Sequence, residues 1–173
     1  MIQLFKQIIT SNNDLDKNVV ILKLTYKKEK STSYSNEITN SKRLRYFTVK
    51  TKQETLQLVF LKQSLTANQI RKTPNIFLTI SDEKFISLFF TQNEVTFFLS
   101  EVNDRNPIHH SKNTVIPACL IFERIVPLLP QDTSEISLHF VHPLYLGECQ
   151  FIIRKREIAL FQNNILCVKG KYR

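Results

Sequence analysis

Apolar residues recur along the chain in two rhythms, one of helical period and one alternating. "MIQLFKQII" sets Leu4, Ile8 and Ile9 on one helical face, which predicts a short N-terminal helix. "NVVILKLTYK" is rich in β-branched residues and predicts a strand. "LRYFTVK" and "TLQLVFLK" alternate and predict two more. "IFLTIS", residues 76–81, fits a further short strand or the linker into the second half. "YKKEKSTSYSNEITNSKRLR", residues 26–45, has no apolar period and predicts a long exposed loop.

The character changes after residue 80. A strand around Ile86 to Phe90 runs into Thr91, with Glu94 three residues on, the pattern of a capping box. A short helix is expected from Gln92 to about Glu101. Pro117 suits the first turn of a second helix. Ala118 to Val126 is apolar nearly all round, broken only by Glu123 and Arg124, so that helix is expected to be mostly buried. Pro127 lacks a backbone donor and should end or kink it. "ISLHFVHPLYL", "CQFIIRKREIALF" and "ILCVKGKYR" predict strands joined by short turns. No βαβ alternation is present. The order predicts an α+β chain in which an antiparallel sheet wraps around one buried helix. The expected division is a strand-rich part over residues 1–80 and a second domain over 81–173.

Charge sharpens that division. The chain carries a net charge of +9 over 173 residues. Residues 1–80 hold 14 Lys/Arg against 5 Asp/Glu, whereas residues 81–173 hold 10 of each. The basic excess therefore sits wholly in the N-terminal part, much of it in residues 26–45. A basic loop can attract nucleic acid, an acidic protein or a phosphorylated cofactor, or simply keep a chain soluble. Nucleic acid is the weakest of these readings, because the aromatics lie in apolar runs and not among Lys/Arg, as a stacking platform requires. No apolar run reaches the ~18 residues of a membrane span, and the first residues are too short and polar for a signal peptide. The expectation is a cytoplasmic chain that binds neither nucleic acid nor membrane. Phe, with 13 residues, is expected to dominate the core. Cys119, Cys149 and Cys167 form no CxxC pattern and read as buried small hydrophobes.

The candidate chemistry lies in "DRNPIHHSKN", residues 104–113. Asp104 and His109 straddle Asn106-Pro107. Proline fixes its own backbone and extends the residue before it, so a stiff turn can converge two side chains on one small target. A carboxylate and an imidazole sharing a water make a workable acid/base pair near neutral pH. A turn residue beside a surface imidazole would give the same spacing. His139 and His142 in "LHFVHP" stand i and i+3 on a strand, face opposite sides and make no metal pair. "RKRE" at 154–157 fits either phosphate binding or a solvated strand end. Lys112, close to the candidate site, fits a phosphate contact slightly better. Gly147 is expected to serve a turn.

"FFTQNEVTFFLSEVNDRNPIH", followed by "VIPACLIFERIVPLL" and "LHFVHPLYLGE", resembles the MaoC-like dehydratases and (R)-specific enoyl-CoA hydratases over roughly residues 85–173. The match centres on D-x-N-P-[hydrophobic]-H at 104–109. A second match is F-x-x-P-x-x-x-G at 140–147. The resemblance implies a hot-dog fold and hydration or dehydration of enoyl and 3-hydroxyacyl thioesters of coenzyme A or acyl carrier protein, in a homodimer. It implies Asp104 and His109 as the catalytic pair and Asn106 as the loop brace. It also implies the Ala118 backbone N–H as an oxyanion donor, and no metal or organic cofactor. Three features depart from that pattern. Val102-Asn103 stands where Ser-Gly is usual, Pro117-Ala118 where His-Gly opens the helix, and the link from His109 to that helix is short. These departures leave a non-catalytic acyl-thioester binder or structural partner as the alternative. Larger members carry two hot-dog halves, so residues 1–80 are expected to be a reduced first half lacking its own buried helix.

Overall fold

The computed structural model describes residues 2–10, 19–30, 34–61 and 84–173. The described strands form one antiparallel sheet. An N-terminal helix α1 (Ile2–Thr10) precedes strands β1 (Val20–Lys28), β2 (Ser35–Asn40), β3 (Leu44–Lys50) and β4 (Glu54–Leu61). Strand β5 (Lys84–Phe90) leads into α2 (Gln92–Val102). A 3-10 turn at Pro107–His109 and helix α3 (Ala118–Ile125) follow. Strands β6 (Glu135–Phe140), β7 (Gly147–Arg154), β8 (Glu157–Gln162) and β9 (Ile165–Tyr172) complete the chain. The nine strands lie in the order β2-β3-β4-β1-β6-β9-β8-β7-β5.

The elements follow from local physics at the positions that set them. Thr91 accepts the N–H of Glu94 while the Glu94 carboxylate accepts the N–H of Thr91, so the capping box starts α2 as the sequence predicts. Asn163 and Asn164 both take positive φ (50° and 61°), which is how a two-residue turn joins β8 to β9 with the right twist. Gly147 opens β7 at φ 113°, an angle that L side chains avoid. Gly170 answers a different need. A Cβ there would lie 2.5 Å from the Ser137 carbonyl oxygen and 2.7 Å from a Leu138 methyl carbon, so β9 can approach β6 only with glycine at that point.

Residues 26–45 do not form the long loop that the absent apolar period predicts. β1 runs on to Lys28, and residues 35–40 form the edge strand β2, paired with β3 from Ser35↔Lys50 to Asn40↔Arg45. Strand pairing is made by backbone groups, so a polar edge strand leaves no hydrophobic signature. "IFLTIS" lies outside the described residues.

One face of the sheet carries the core. Leu24, Leu56, Leu58, Phe90, Leu138, Phe151, Leu160 and Val168 are buried there together with Phe122 and Ile125 of α3. α3 is the buried helix expected, and Pro127 falls in the 3-10 turn Val126–Leu128 that closes it. Pro117 stands one position earlier than expected, as the N-cap and not in the first turn. The core joins the two ends of the chain. Phe122 meets Phe5 of α1 and Tyr26 of β1, with ring centroids 6.2 and 5.6 Å away. β1 also pairs with β6 from Lys23↔His139 to Lys27↔Glu135, so the N-terminal strands continue the C-terminal sheet. The three cysteines are buried free thiols, and burial pushes the Cys149 and Cys167 pKa values up to about 12 and about 11.

Candidate active site

The end of α2 sets up the site. Asn103 adopts the left-handed conformation (φ 54°), and the Asp104 N–H then reaches back to the Leu99 carbonyl at 3.0 Å. This six-to-one bond ends the helix. Asn103 thus fills a backbone role suited to glycine, since Asn tolerates positive φ better than most residues.

Beyond that cap, the loop is braced on itself. Asp104 Oδ1 accepts the Asn106 N–H at 2.9 Å, and Asn106 Oδ1 accepts the Ile108 N–H at 3.3 Å. The Asn106 amide also donates to the Val19 carbonyl at 2.9 Å, tying the loop to the start of β1. Asn106 is buried, and its side chain holds both the Val19 carbonyl and the Ile108 N–H. Pro107 then begins the 3-10 turn that delivers His109.

Asp104 Oδ2 lies 3.8 Å from His109 Nε2. That separation is too long for a direct hydrogen bond, yet one water oxygen can sit about 2.8 Å from both atoms. His109 Nδ1 donates to the Val115 carbonyl at 2.6 Å. A carbonyl only accepts, so the proton is on Nδ1 and the lone pair of neutral imidazole is on Nε2, facing Asp104. Burial lowers the His109 pKa, with His110 adding to the effect, while Asp104 and the Val115 carbonyl oppose it. The imidazole therefore stays neutral below the ordinary histidine range and is available as a proton acceptor.

The short link to α3 is held by the second matching motif. The Ile116 N–H donates to the Leu144 carbonyl at 2.8 Å, and Val115 bridges to Tyr145. Gln162 grips the Tyr145 backbone on both sides, at 2.9 and 3.0 Å. The segments 104–109 and 140–147, far apart in sequence, are thus joined through 115–116. Helix α3 then starts at Ala118, buried, with no side-chain cap on Pro117. The Ile121 N–H is the first to find a carbonyl within the helix, that of Pro117. The N–H groups before it are the uncapped donors of a helix start.

Other predicted residues stand apart. Lys112 is exposed in the turn at 110–113. "RKRE" spans the turn from β7 to β8, with Arg154 and Glu157 paired at the strand ends and Lys155 at φ 51°. His139 is in β6, and His142 lies beyond its end. Sequence reading missed the carbonyls of Val19 and Val115, which carry no side-chain signal. It also missed the tie between Arg124 of α3 and Glu94 of the α2 capping box. Cys119 is buried, as the sequence predicts, and its thiol pKa is raised by burial first and then by the charges of Asp104 and Glu123.

Solved structures share this fold. HtdX from Mycobacterium tuberculosis superposes with a TM-score of 0.71 at 12% identity, over 99% of this chain and 85% of that one. A MaoC-like dehydratase gives 0.55 at 10% identity, over 89% and 74%. An acyl-ACP thioesterase from Bacteroides thetaiotaomicron gives 0.52 at 15% identity, over 89% and 75%. No protein-family profile matches the chain, and no curated protein matches it in sequence. The chain has the hot-dog fold that these structures share, as the sequence resemblance implies. No helix among the described residues is long and apolar enough to cross a membrane.

Proposed function

We propose that the protein hydrates and dehydrates acyl thioesters, taking a trans-2-enoyl thioester of coenzyme A or acyl carrier protein to the 3-hydroxyacyl thioester and back. The observation that carries this reading is the facing of Asp104 Oδ2 and the His109 Nε2 lone pair across 3.8 Å, with His109 oriented by Val115. A water held by both atoms loses a proton to the pair as its oxygen bonds to C3. That proton, or its equivalent, is returned to C2, so water adds across the double bond with nothing left over. Charge that builds on the thioester oxygen meets the Ala118 N–H at the α3 start, whose donors point outward along the helix dipole. Asn106 acts through position, bracing the loop between Val19 and Ile108. Lys112 contributes as an exposed cation for the carrier's phosphate. Residues 1–80 act as a reduced first hot-dog half to the 81–173 domain, a reading supported by the β1–β6 pairing.

One observation favours a second reading, a binder without turnover. His109 is 7% exposed, and Asp104, Asn106 and His109 are each tied by hydrogen bonds to backbone groups, a state that also suits a purely structural turn. Crotonyl-CoA hydration, followed by loss of enoyl absorbance, separates the two. Wild type should hydrate the substrate, and Asp104→Asn and His109→Gln should each lower the rate by about 100- to 10,000-fold. The double variant should be little worse than either single one, because the pair acts as a unit. Wild type that binds acyl-CoA but hydrates no faster than its variants would leave only the second reading.

A further inference from the structure

On the face of the sheet away from the core, one register line crosses six strands. It runs through Lys23, His139 and Lys169 on β1, β6 and β9, then Ala159, Ile152 and Phe85 on β8, β7 and β5. Its first half is basic and its second half apolar. Lys23 and Lys169 flank the His139 ring on either side, and their charges add to the cost of protonating it.

The carboxylates nearby are committed elsewhere. Glu135 pairs with Lys27 at 3.6 Å and Arg173 at 3.9 Å, and Glu157 pairs with Lys171 at 3.3 Å. Among the described residues no carboxylate pairs with Lys23, His139 or Lys169. Partial burial, Lys23 and Lys169 together lower the pKa of His139. The remaining charges on this face, Arg154 and Lys171 with Glu157, flank the same groove without reversing its sign. The groove has a volume of about 670 Å³ and is lined by Ile152, Ala159, Phe161, Leu166, His139 and Lys169 among others, with Lys23 at its border, paired in register with His139 on the adjoining strand.

We propose that this groove binds a phosphate monoester carrying an apolar group, its phosphate between Lys23 and Lys169 over His139 and its apolar part along Ala159 and Ile152. Lys23 and Lys169 are two strand spacings apart, about 10 Å, a gap that two flexible side chains close onto one anion. A phosphate monoester carries close to two charges and several acceptor oxygens, which matches two lysines and a third donor from His139 once protonated. From His139 to Ile152 is three spacings, about 14 Å, room for a short acyl or aromatic group. The site is on the opposite face of the sheet from α3 and does not depend on the Asp104–His109 reading.

The test is a titration of the full chain followed through the His139 ring signals by NMR, with hexyl phosphate, inorganic phosphate and hexanol as probes. Hexyl phosphate should bind saturably, raise the His139 pKa, and bind at least about tenfold more tightly than inorganic phosphate. Lys23→Gln and Lys169→Gln should each weaken it by about threefold or more. Ile152→Thr should weaken hexyl phosphate but leave inorganic phosphate unchanged, with thermal melting confirming that each variant is folded. Vesicles containing phosphatidic acid distinguish the source: capture points to a lipid headgroup, and hexyl phosphate binding without capture points to a free ligand. No saturable shift of His139, binding of hexanol that ignores the lysine variants, or tighter binding of a single-stranded oligonucleotide than of hexyl phosphate would each overturn the proposal.

Discussion

Asn103 turns the chain through φ 54°, and Asp104 follows at once with its N–H on the Leu99 carbonyl. The aim of the carboxylate is therefore set by one backbone angle. Asn103→Gly should leave stability and hydration close to wild type. Asn103→Val should cost about 1–2 kcal/mol, since a β-branched residue resists this angle. Urea unfolding measures the cost, and equal stability of the two variants would contradict this account of the helix end. His109 makes a second residue-scale case. Its folded pKa lies below the ordinary 6.5, because burial disfavours the charged ring. Between 6.5 and the folded value the unfolded chain binds a proton that the native state refuses. Unfolding free energy therefore rises with pH in that window and falls on acidification through it. His109→Gln should lose less stability than wild type between pH 7.5 and pH 5.5, read by the same unfolding experiment. Parallel losses in both would mean that the ring is not desolvated as its burial indicates.

At the scale of elements, α3 offers a clean separation of backbone from side chain. Ala118 is the first helical residue after the N-cap Pro117, which sits at φ −58° and ψ 133°. Proline is favoured at the first helical position, and Pro117 already has the extended geometry that a following proline demands. Ala118→Pro should thus retain the helix while removing the donor. Hydration should fall by about 100-fold or more, as loss of an oxyanion donor does. Ala118→Gly keeps the N–H and should stay within about tenfold, despite a helix cost of about 1 kcal/mol. Matching rates for the two variants in the crotonyl-CoA assay would remove Ala118 from the oxyanion role.

At the scale of the whole molecule, the sheet is continuous across the β1–β6 seam, and Phe122 packs on both Phe5 and Tyr26. A fragment of residues 81–173 would lose those rings and expose the edge of β6. Open edges and apolar faces recruit other chains. The fragment should aggregate or form new oligomers when examined by size-exclusion chromatography with light scattering. A monomeric, well-dispersed fragment would show that the two parts do not share a core.

The sequence by itself determined the elements whose signals are local. The capping box at Thr91 and Glu94, the apolar run of α3 and the alternation of β3 and β4 each state their structure within a few residues. The turn between Asp104 and His109 was equally legible, because Asn-Pro restricts the backbone wherever it occurs. Tertiary structure alone decided what depends on distant backbone. β2 became a strand because β3 offered it paired carbonyls and N–H groups, which a polar sequence does not advertise. The tautomer of His109 was chosen by the Val115 carbonyl, and the loop was anchored by that of Val19. Every residue has such a carbonyl, so no residue type marks the ones that matter. The register line from Lys23 to Phe85 has the same origin, for strand order places on one face residues that lie as much as 146 positions apart in the chain.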